Sequence, residues 1–450
     1  MADLATVAEL CHGLSDSLLG QTLSPEQRLT QWQRICTDTR ALRPGDVFLA
    51  LVGERFDGHR FVDKALDQGA IAAIVRQGAI DSRPGLIEVA DTLTAYQTIG
   101  RWWRQRLGLS VVAITGSVGK TTTKELIAAA LAVHGPVHRT RANFNNEIGV
   151  PKTLLEMDAH HRYGVVEMGM RGPGEIVQLA QIAQPDVAVI TNVGTAHIGR
   201  LGSRQAIANA KCELLAELPK HGTAVLNCDN QRLMDTAAGV WSGKTITYGL
   251  QGGDVRGTLL SADTLQVEDK ILPLPLEGEH NALNYLGAIA TLQALGLDWS
   301  FLTRGLPLEM PPGRASRHIL PGDILLLDET YNAGAESMAA ALRLLKAQPG
   351  SRHIAVLGTM KELGQQSIEL HRTVGQLVKS LELDQLLVLA DPDEATALVE
   401  GAQGVTSQKF SDHDRLADYL RKTMEPGDRL LFKASRSVAM DRVVEQLIAS

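Results

Sequence analysis

A buried-strand pattern near residue 110 passes through a short glycine loop straight into a helix pattern. The strand is Leu109–Thr115, an apolar run rich in β-branched residues. The helix pattern covers Thr121–Val133 and stops at Gly135-Pro136. Units of this kind build parallel sheets that helices cover on both faces, so the sequence predicts an α/β fold.

The loop between this strand and helix has the chemistry of a phosphate-binding loop. Glycines let backbone N–H groups curl around phosphate oxygens, and the helix N-terminus adds its positive dipole end. Lys120 would reach the β- and γ-phosphates of ATP, and the Thr121 hydroxyl would bind Mg²⁺. Ile114 stands where a full Walker A motif has glycine, and the alternative is a glycine turn with a solvated lysine. The residues predicted to bind ATP here are Gly116, Ser117, Val118, Gly119, Lys120, Thr121 and Thr122.

Strand and helix patterns alternate along most of the 450 residues, which are enough for about three domains. We predict a small N-terminal α/β domain over 1–108, a central parallel-sheet P-loop ATPase domain over 109–310 and a doubly wound, Rossmann-like domain over 311–450. Pro311-Pro312-Gly313 is the predicted linker between the last two. Residues 254–277 break the alternation and predict a small antiparallel excursion.

Composition excludes several classes of protein. The chain has 44 Lys and Arg against 51 Asp and Glu, so its net charge of −7 argues against a broad nucleic-acid or anionic-membrane surface. The four cysteines are scattered without a CxxC pair, which argues against a disulfide framework or a zinc site. We find no signal-peptide pattern and no apolar run long enough to span a membrane, and we therefore expect a cytoplasmic protein.

Polar residues follow the predicted central strands where those strands end. Glu167 closes the strand Gly164–Met168, and Asn192 and His197 follow the next strand. Open parallel sheets bind ligands beyond the carboxyl ends of their strands, so these residues could hold a metal beside the phosphate loop. The alternatives are a capping or surface carboxylate for Glu167 and a structural role for His197.

Further candidates lie on either side of the linker. Asn281 and Asn284 stand one turn apart at the start of an apolar helix and could bind an adenine edge, although Asn281 could instead be an ordinary N-cap. Arg314 could contact a transferring phosphate or be a surface arginine. Asp328 ends its strand and could meet a ribose hydroxyl.

Together these motifs resemble the Mur ligases, the ATP-dependent amide ligases of peptidoglycan synthesis, along almost the whole chain. The loop that starts at Thr115 is similar to the shortened P-loop of the family, which accounts for Ile114. The family also has a strand-end Glu, an Asn and His after the next strand, a His-Asn-x-x-Asn run and a Gly-Arg after the linker. Here these are Glu167, Asn192 and His197, His280 to Asn284, and Gly313-Arg314.

The resemblance is strongest to the member that joins D-alanyl-D-alanine to UDP-N-acetylmuramoyl-tripeptide, which serves cell-wall biogenesis, cell shape and division. It implies a monomer that uses ATP and Mg²⁺, forms an acyl phosphate and releases ADP. The implied catalytic residues are Lys120, His197, Lys211 and Arg314, and the implied Mg²⁺ ligands are Thr121, Glu167, His197 and Lys211 as a carbamate. From spacing alone, Lys211 would be a solvated charge on a helix. The implied substrate contacts are Thr39, Arg40, Asp57, His59, Asn145, Asn146, Tyr331, Asn332, Ser435 and Arg436.

Two stretches depart from the family pattern. Gly334-Ala335-Glu336 stands where Asn-Pro-Asp is usual, and Thr359 stands where Asp is usual. The competing hypotheses are the sister ligase that adds the third residue, a folylpolyglutamate-type ligase and a P-loop regulatory protein. The sister ligase carries Asp-Asn-Pro-Arg in its last domain and a GTPase-like switch carries Asn-Lys-x-Asp, and the sequence contains neither.

Overall fold

The structure is a computed structural model that describes residues 5–449. Within that range the strands form three main sheets and one two-stranded ribbon, and helices alternate with most of the strands. The predicted α/β class with parallel sheets is confirmed. Among the described helices, none has the length and apolar character that a membrane span requires.

The N-terminal sheet has the strand order β1-β7-β6-β3-β2, with β1 antiparallel to its neighbour and the other pairs parallel. Helix α4 leads into the central domain, where the indole N–H of Trp103 donates to the carbonyl of Met157 at 2.8 Å and Arg104 pairs with Asp186 at 2.8 Å. The elements are α1 Val7–Leu14, β1 Leu18–Gln21, α2 Pro25–Leu29, β2 Ile35–Cys36, β3 Val47–Leu49, β4 Val52–Gly53, β5 Phe56–Asp57, α3 Val62–Asp67, β6 Ala72–Arg76, β7 Leu86–Val89 and α4 Thr92–Leu107, with 3₁₀ turns Ser15–Ser17 and Gly58–Phe61.

The central sheet has the strand order β16-β15-β14-β13-β12-β11-β8-β10-β9, and it is parallel from β9 to β14. The antiparallel excursion predicted over 254–277 is confirmed as β14 to β16. The elements are β8 Ser110–Thr115, α5 Lys120–Ala132, β9 Val137–Arg139, α6 Gly149–Leu155, β10 Tyr163–Glu167, α7 Glu175–Ala183, β11 Val187–Ile190, α8 Ile198–Leu201, α9 Arg204–Ala216, β12 Thr223–Asn227, α10 Gln231–Ala238, β13 Lys244–Gly249, β14 Val255–Ser261, β15 Thr264–Val267, β16 Lys270–Pro273 and α11 Glu279–Ala294, with a 3₁₀ turn Ser300–Arg304.

The C-terminal sheet has the order β17-β18-β22-β19-β20-β21, and only β17 is antiparallel within this described sheet. Separate apolar cores pack against its two faces, one around Met338 and Val374 and the other around Leu416 and Val443. The elements are β17 Ser316–Leu320, β18 Ile324–Asp328, α12 Ala335–Ala347, β19 Arg352–Gly358, α13 Ser367–Ser380, β20 Gln385–Leu389, α14 Pro392–Gly401, β21 Thr406–Lys409, α15 His413–Thr423, β22 Asp428–Lys433 and α16 Asp441–Ile448, with 3₁₀ turns Gly364–Gln366 and Arg436–Val438.

The predicted elements around the phosphate loop differ from the structure by one residue at their ends. The strand predicted over Leu109–Thr115 is Ser110–Thr115, the helix predicted over Thr121–Val133 is Lys120–Ala132, and the strand predicted over Gly164–Met168 is Tyr163–Glu167. The next strand along the chain, Val187–Ile190, ends two residues before Asn192. The backbone then leaves the sheet, and the side chain of Asn192 turns toward the phosphate loop.

Candidate active site

The loop after β8 is held in a curled conformation by its glycines and by Asn192. Gly116 (φ 154°) and Gly119 (φ 81°) have backbone angles that residues with a Cβ rarely adopt. The N–H groups of Ser117 and Val118 donate to the backbone and side-chain oxygens of Asn192 at 3.1 and 3.0 Å. The first turn of α5 therefore begins at a preformed loop, with free N–H groups suited to phosphate oxygens.

The start of α11 packs against this loop. A Cβ at Gly119 would lie 2.5 Å from the side-chain oxygen of Asn284, and the same oxygen accepts from the Thr123 hydroxyl at 3.2 Å. The alternative that Asn281 caps this helix is wrong, because Gly278 is the N-cap and the Asn281 amide donates to the Glu277 carbonyl at 2.9 Å. Both predicted adenine contacts thus lie at the helix end that adjoins the phosphate loop.

Glu167 forms the centre of a buried cluster of oxygens beside the loop. Its side chain accepts from the Thr121 hydroxyl at 2.9 Å and from the Asn145 amide at 2.9 Å, and the residue is only 3% exposed. The structure therefore brings two predicted metal ligands into direct contact. Asn145, a predicted substrate contact, donates to the other oxygen of the same carboxylate. A carboxylate beside a hydroxyl is the hard-oxygen set that Mg²⁺ prefers.

Lys124, which no sequence motif singled out, lies near the same Glu167 oxygen that accepts from Thr121. Its ammonium donates to the Thr140 carbonyl at 2.7 Å and lies 3.0 Å from Glu125 and 3.9 Å from Glu167. This buried cation neutralises part of the negative charge around Glu167. Its position one turn after Lys120 on the same helix was the available sequence signal.

Lys211 on α9 is equally buried but has no such neighbours. Only 1% of it is exposed, and within residues 5–449 its ammonium has neither a hydrogen bond nor an ion pair. Burial lowers its pKa well below the ordinary lysine value, and the positive charge of Lys120 lowers it further. The alternative of a solvated helix face for Lys211 is therefore wrong.

His197 stands where the central and C-terminal domains meet. Its backbone is left-handed (φ 65°), and its Nδ1 lies 2.5 Å from Glu362 Oε2, a close contact without hydrogen-bond geometry. Burial lowers the pKa of His197. Glu362 acts in the opposite direction, while Lys120 and Lys211 lower the pKa further. His197 thus shares one electrostatic neighbourhood with both lysines.

Cations from the C-terminal domain complete this neighbourhood. The Arg314 guanidinium lies 3.9 Å from the ring centre of Tyr331, and its buried Nε has no hydrogen-bond partner in the described part of the chain. Burial lowers the pKa of Lys120, the negative charge of Glu167 acts in the opposite direction, and Arg314 lowers the pKa further. Burial and Arg314 also lower the pKa of Lys433, whereas Glu329, 3.6 Å from its ammonium, raises it. The same ammonium donates to the Asn332 carbonyl at 3.1 Å. Lys120, Arg314 and Lys433 therefore bring several positive charges together, with Glu167 and Glu329 as the opposing carboxylates.

Three domain matches and one similar relative decide the family. The Mur ligase middle domain matches residues 114–292, the Mur ligase, glutamate ligase domain matches 314–436, and the Mur ligase family, catalytic domain matches 32–142. A protein from Synechocystis sp. named UDP-N-acetylmuramoyl-tripeptide–D-alanyl-D-alanine ligase is 54% identical over 450 residues, covering 99% of this chain and 97% of the relative. The chain belongs to the Mur ligase family. This result confirms the resemblance inferred from the motifs and excludes the competing hypothesis of a P-loop regulatory protein.

Solved Mur ligases share the fold of the whole chain. MurF from Acinetobacter baumannii has a TM-score of 0.89 at 32% identity, with 100% of both chains covered. The MurF ligase from Thermotoga maritima in complex with ADP has a TM-score of 0.84 at 31% identity, with 93% of this chain and 97% of that chain covered. The predicted three-domain architecture is confirmed by these matches.

The N-terminal candidates of this Mur ligase form local contacts. His59 is buried, its Nδ1 lies 2.6 Å from Asp57, and its Nε2 accepts from the Arg76 N–H at 2.9 Å, so both ring nitrogens have partners. Arg40 is 86% exposed and pairs with Asp38 at 2.7 Å, whereas Thr39 is buried. Arg40 is the candidate here whose charged group extends into solvent.

The remaining predicted residues also have internal contacts. Asp328 accepts from the N–H and hydroxyl of Thr330 at 3.1 and 2.6 Å, and the Tyr331 N–H donates to the carbonyl of Gly313 at 3.0 Å. The other contacts are those of Asn146 with the Gly149 N–H at 2.9 Å, Ser435 with the Lys361 N–H at 2.9 Å and the exposed Arg436 with Asp441 at 2.6 Å.

Proposed function

We propose that this Mur ligase is an ADP-forming ligase that joins D-alanyl-D-alanine to UDP-N-acetylmuramoyl-tripeptide in cytoplasmic peptidoglycan precursor synthesis. The observation that carries the proposal is the cluster of cations around the phosphate loop, Lys120, Lys211 and Arg314, in which burial lowers the pKa of both lysines and the buried Arg314 Nε has no hydrogen-bond partner in the described chain. A cluster of this kind favours a polyanion, and a nucleoside triphosphate is one. The name of the Synechocystis relative supports the choice of substrates.

In the proposed reaction, the tripeptide carboxylate attacks the γ-phosphate of ATP, and ADP leaves. The dipeptide amine then attacks the resulting acyl phosphate, so that an amide forms and phosphate leaves. Lys120 and Arg314 stabilise the charge that develops on the transferring phosphate. Because an acyl phosphate hydrolyses readily, the close contact between the central and C-terminal domains at His197 and Glu362 serves to exclude water.

The residues present fit a Mg²⁺ ion, because Glu167 and Thr121 offer hard oxygens and His197 lies in the same neighbourhood. When bound, the ion would neutralise phosphate charge as a Lewis acid. We assign Thr121, Glu167, His197 and Lys211 as the residues that hold it. Asn145 orients the Glu167 carboxylate, and the Lys124 ammonium lies 3.9 Å from the same group.

Lys211 would bind the metal as a carbamate. Carbamylation needs a neutral amine, and burial favours the neutral form of Lys211. The neutral amine nitrogen attacks CO₂ and one proton leaves, so that the amine becomes a carbamate anion with two oxygens. The absence of any partner for its ammonium in the described chain supports this assignment.

We assign the remaining contacts by substrate. Asn281, Asn284 and Asp328 bind the adenosine part of ATP. The tripeptide substrate and the dipeptide contact Thr39, Arg40, Asp57, Asn146, Tyr331, Asn332, Ser435 and Arg436. His59 acts by holding Asp57, since both of its nitrogens have partners. The proposed domain boundaries stay at 1–108, 109–310 and 311–450, and they are supported by the three sheets, none of whose described strands crosses them.

The test is ADP release from purified protein across a panel of UDP-N-acetylmuramoyl peptides, with and without D-alanyl-D-alanine. We expect steady turnover only with a tripeptide, the dipeptide and ATP together. Tripeptides ending in diaminopimelate and in lysine are compared in parallel. Turnover with a UDP-N-acetylmuramoyl-dipeptide and a free amino acid, or with ATP alone, would contradict the proposal.

A further inference from the structure

Glu336 of the C-terminal domain reaches across to the central domain. It lies in the first turn of α12, and its carboxylate accepts two hydrogen bonds from Thr195, one from the N–H at 2.7 Å and one from the hydroxyl at 2.9 Å. Thr195 is only 1% exposed and belongs to the loop between β11 and α8. Hydrogen bonds to an ionised carboxylate are about twice as strong as neutral ones.

The same loop contacts the phosphate loop on its other side. The Gly194 N–H donates to the Ser117 hydroxyl at 2.8 Å, and the Thr191 hydroxyl donates to the Val118 carbonyl at 2.6 Å. With the bonds of Asn192 described above, residues 191–195 form one continuous path from Glu336 to the phosphate loop. Each step of this path is either a direct hydrogen bond or the peptide link between consecutive residues.

Local chemistry favours a carboxylate at this position. The first turn of a helix stabilises negative charge through the helix dipole. Across the described chain no lysine, arginine or histidine pairs with Glu336, and its carboxylate is bonded by Thr195. A Cβ at Gly194 would lie 2.7 Å from Glu336 Oε1, and glycine therefore leaves the space that the carboxylate occupies.

We propose that Glu336 is a positioning residue that couples docking of the C-terminal domain to the order of the phosphate loop through residues 191–195. The inference rests on the proposed function only for its catalytic consequence. It gives a role to the departure at Gly334-Ala335-Glu336, because the glutamate contacts the loop that holds Ser117 and Val118. Glu336 itself touches no reacting group in this assignment.

The first measurement is hydrogen–deuterium exchange on the full-length protein without substrates. In Glu336→Gln we expect amide exchange to become about tenfold faster in residues 191–199 and also in residues 114–120, because hydrogen bonds to a charged group typically contribute that much. Gly194→Ala should do the same, because the added methyl displaces the Glu336 carboxylate. The matched control is Glu369→Gln, which removes a glutamate that is 70% exposed and pairs with Arg372 inside the same domain.

The second measurement is steady-state ligation by the same variants. We expect kcat to fall about tenfold in Glu336→Gln, because the phosphate loop that positions the nucleotide is less ordered in this variant. Combining Glu336→Gln with Thr195→Val should lower kcat little more than the larger of the two single changes, because both changes weaken the same contact.

The coupling would be overturned if exchange in residues 114–120 of Glu336→Gln stayed at the wild-type rate. It would also be overturned if the Glu369→Gln control changed by the same amount. A wild-type protein that fails to ligate would contradict the proposed function and leave the exchange result intact.

Discussion

Lys124 and Lys211 are both 1% exposed, yet their surroundings are opposite. Lys124 donates to a carbonyl at 2.7 Å and has carboxylates 3.0 and 3.9 Å away, as a buried cation requires. Lys211 has neither a carbonyl nor a carboxylate partner within the described chain, and its pKa is lowered by burial. Burial without compensation is costly and marks a functional group, whereas burial with full compensation marks a structural one.

The largest expected effect separates the two lysines by chemical rescue. We expect Lys211→Ala to lose about a thousandfold in ligation rate, the upper end for one preorganised group, since the metal loses a ligand. Millimolar acetate or another short carboxylate should restore activity by replacing the carbamate. Lys124→Ala should not respond to acetate, because it loses a cation. A fully active Lys211→Ala variant would return Lys211 to a structural role.

The second expectation concerns stability. Lys124→Met leaves the buried Glu167 carboxylate without its nearby ammonium and leaves Glu125 paired with Arg139 alone, and removing one partner of a buried pair costs about 3–5 kcal/mol. Denaturant unfolding would measure this loss. Lys211→Met is the matched control, and we expect it to keep or gain stability in CO₂-free buffer because it removes an uncompensated charge. An equal loss of unfolding free energy in the two variants would contradict the difference in compensation between Lys124 and Lys211.

The sequence could predict the α/β fold, the phosphate loop and the family, because these depend on local patterns and short motifs. Gly116 and Lys120 were assigned from a seven-residue stretch, and the family that this stretch indicates is confirmed. The difference between Lys124 and Lys211 could not be predicted in the same way. Lys124 depends on Thr140 and Glu167, which come from other strands and loops.

Contacts between domains could not be predicted from the sequence either. Glu336 stands 141 positions from Thr195, and no local pattern pairs them. The resemblance drew attention to Gly334-Ala335-Glu336 only as a departure, and it gave Glu362 no role. The partners of such residues are set by how two domains pack, which spacing along the chain does not encode.

A third lysine sharpens the comparison. Lys120 is half-buried at the loop, and its ammonium donates to the Gly116 carbonyl at 2.7 Å. We expect Lys120→Ala to lower kcat about a hundredfold, since it removes charge stabilisation from the transition state. Stability should change little, and acetate should not rescue activity. Near-normal turnover in a folded variant would remove the phosphate loop from the mechanism.

The smallest expected effect is the pH dependence of stability that an uncompensated lysine imposes. The pKa of Lys211 is lowered in the folded protein, so its amine loses the proton at a lower pH than in the unfolded chain, where lysine has a pKa of about 10.4. Between the folded pKa and about pH 10.4 the unfolded chain binds more protons, and the free energy of unfolding therefore rises with pH. One such group contributes a slope of at most about 1.4 kcal/mol per pH unit.

The measurement is urea unfolding of the wild-type protein and of Lys211→Met in CO₂-free buffer, at pH values above the range in which His197 titrates. The difference between the two slopes of unfolding free energy against pH isolates the contribution of Lys211. Lys379→Met, which removes an exposed lysine, is the control and should keep the wild-type slope. Added bicarbonate should stabilise the wild-type protein and the control but not Lys211→Met, because only a neutral amine at position 211 can take up CO₂. Identical slopes in all three proteins would mean that Lys211 keeps its proton in the fold, and the contrast with Lys124 would then lose its chemical meaning.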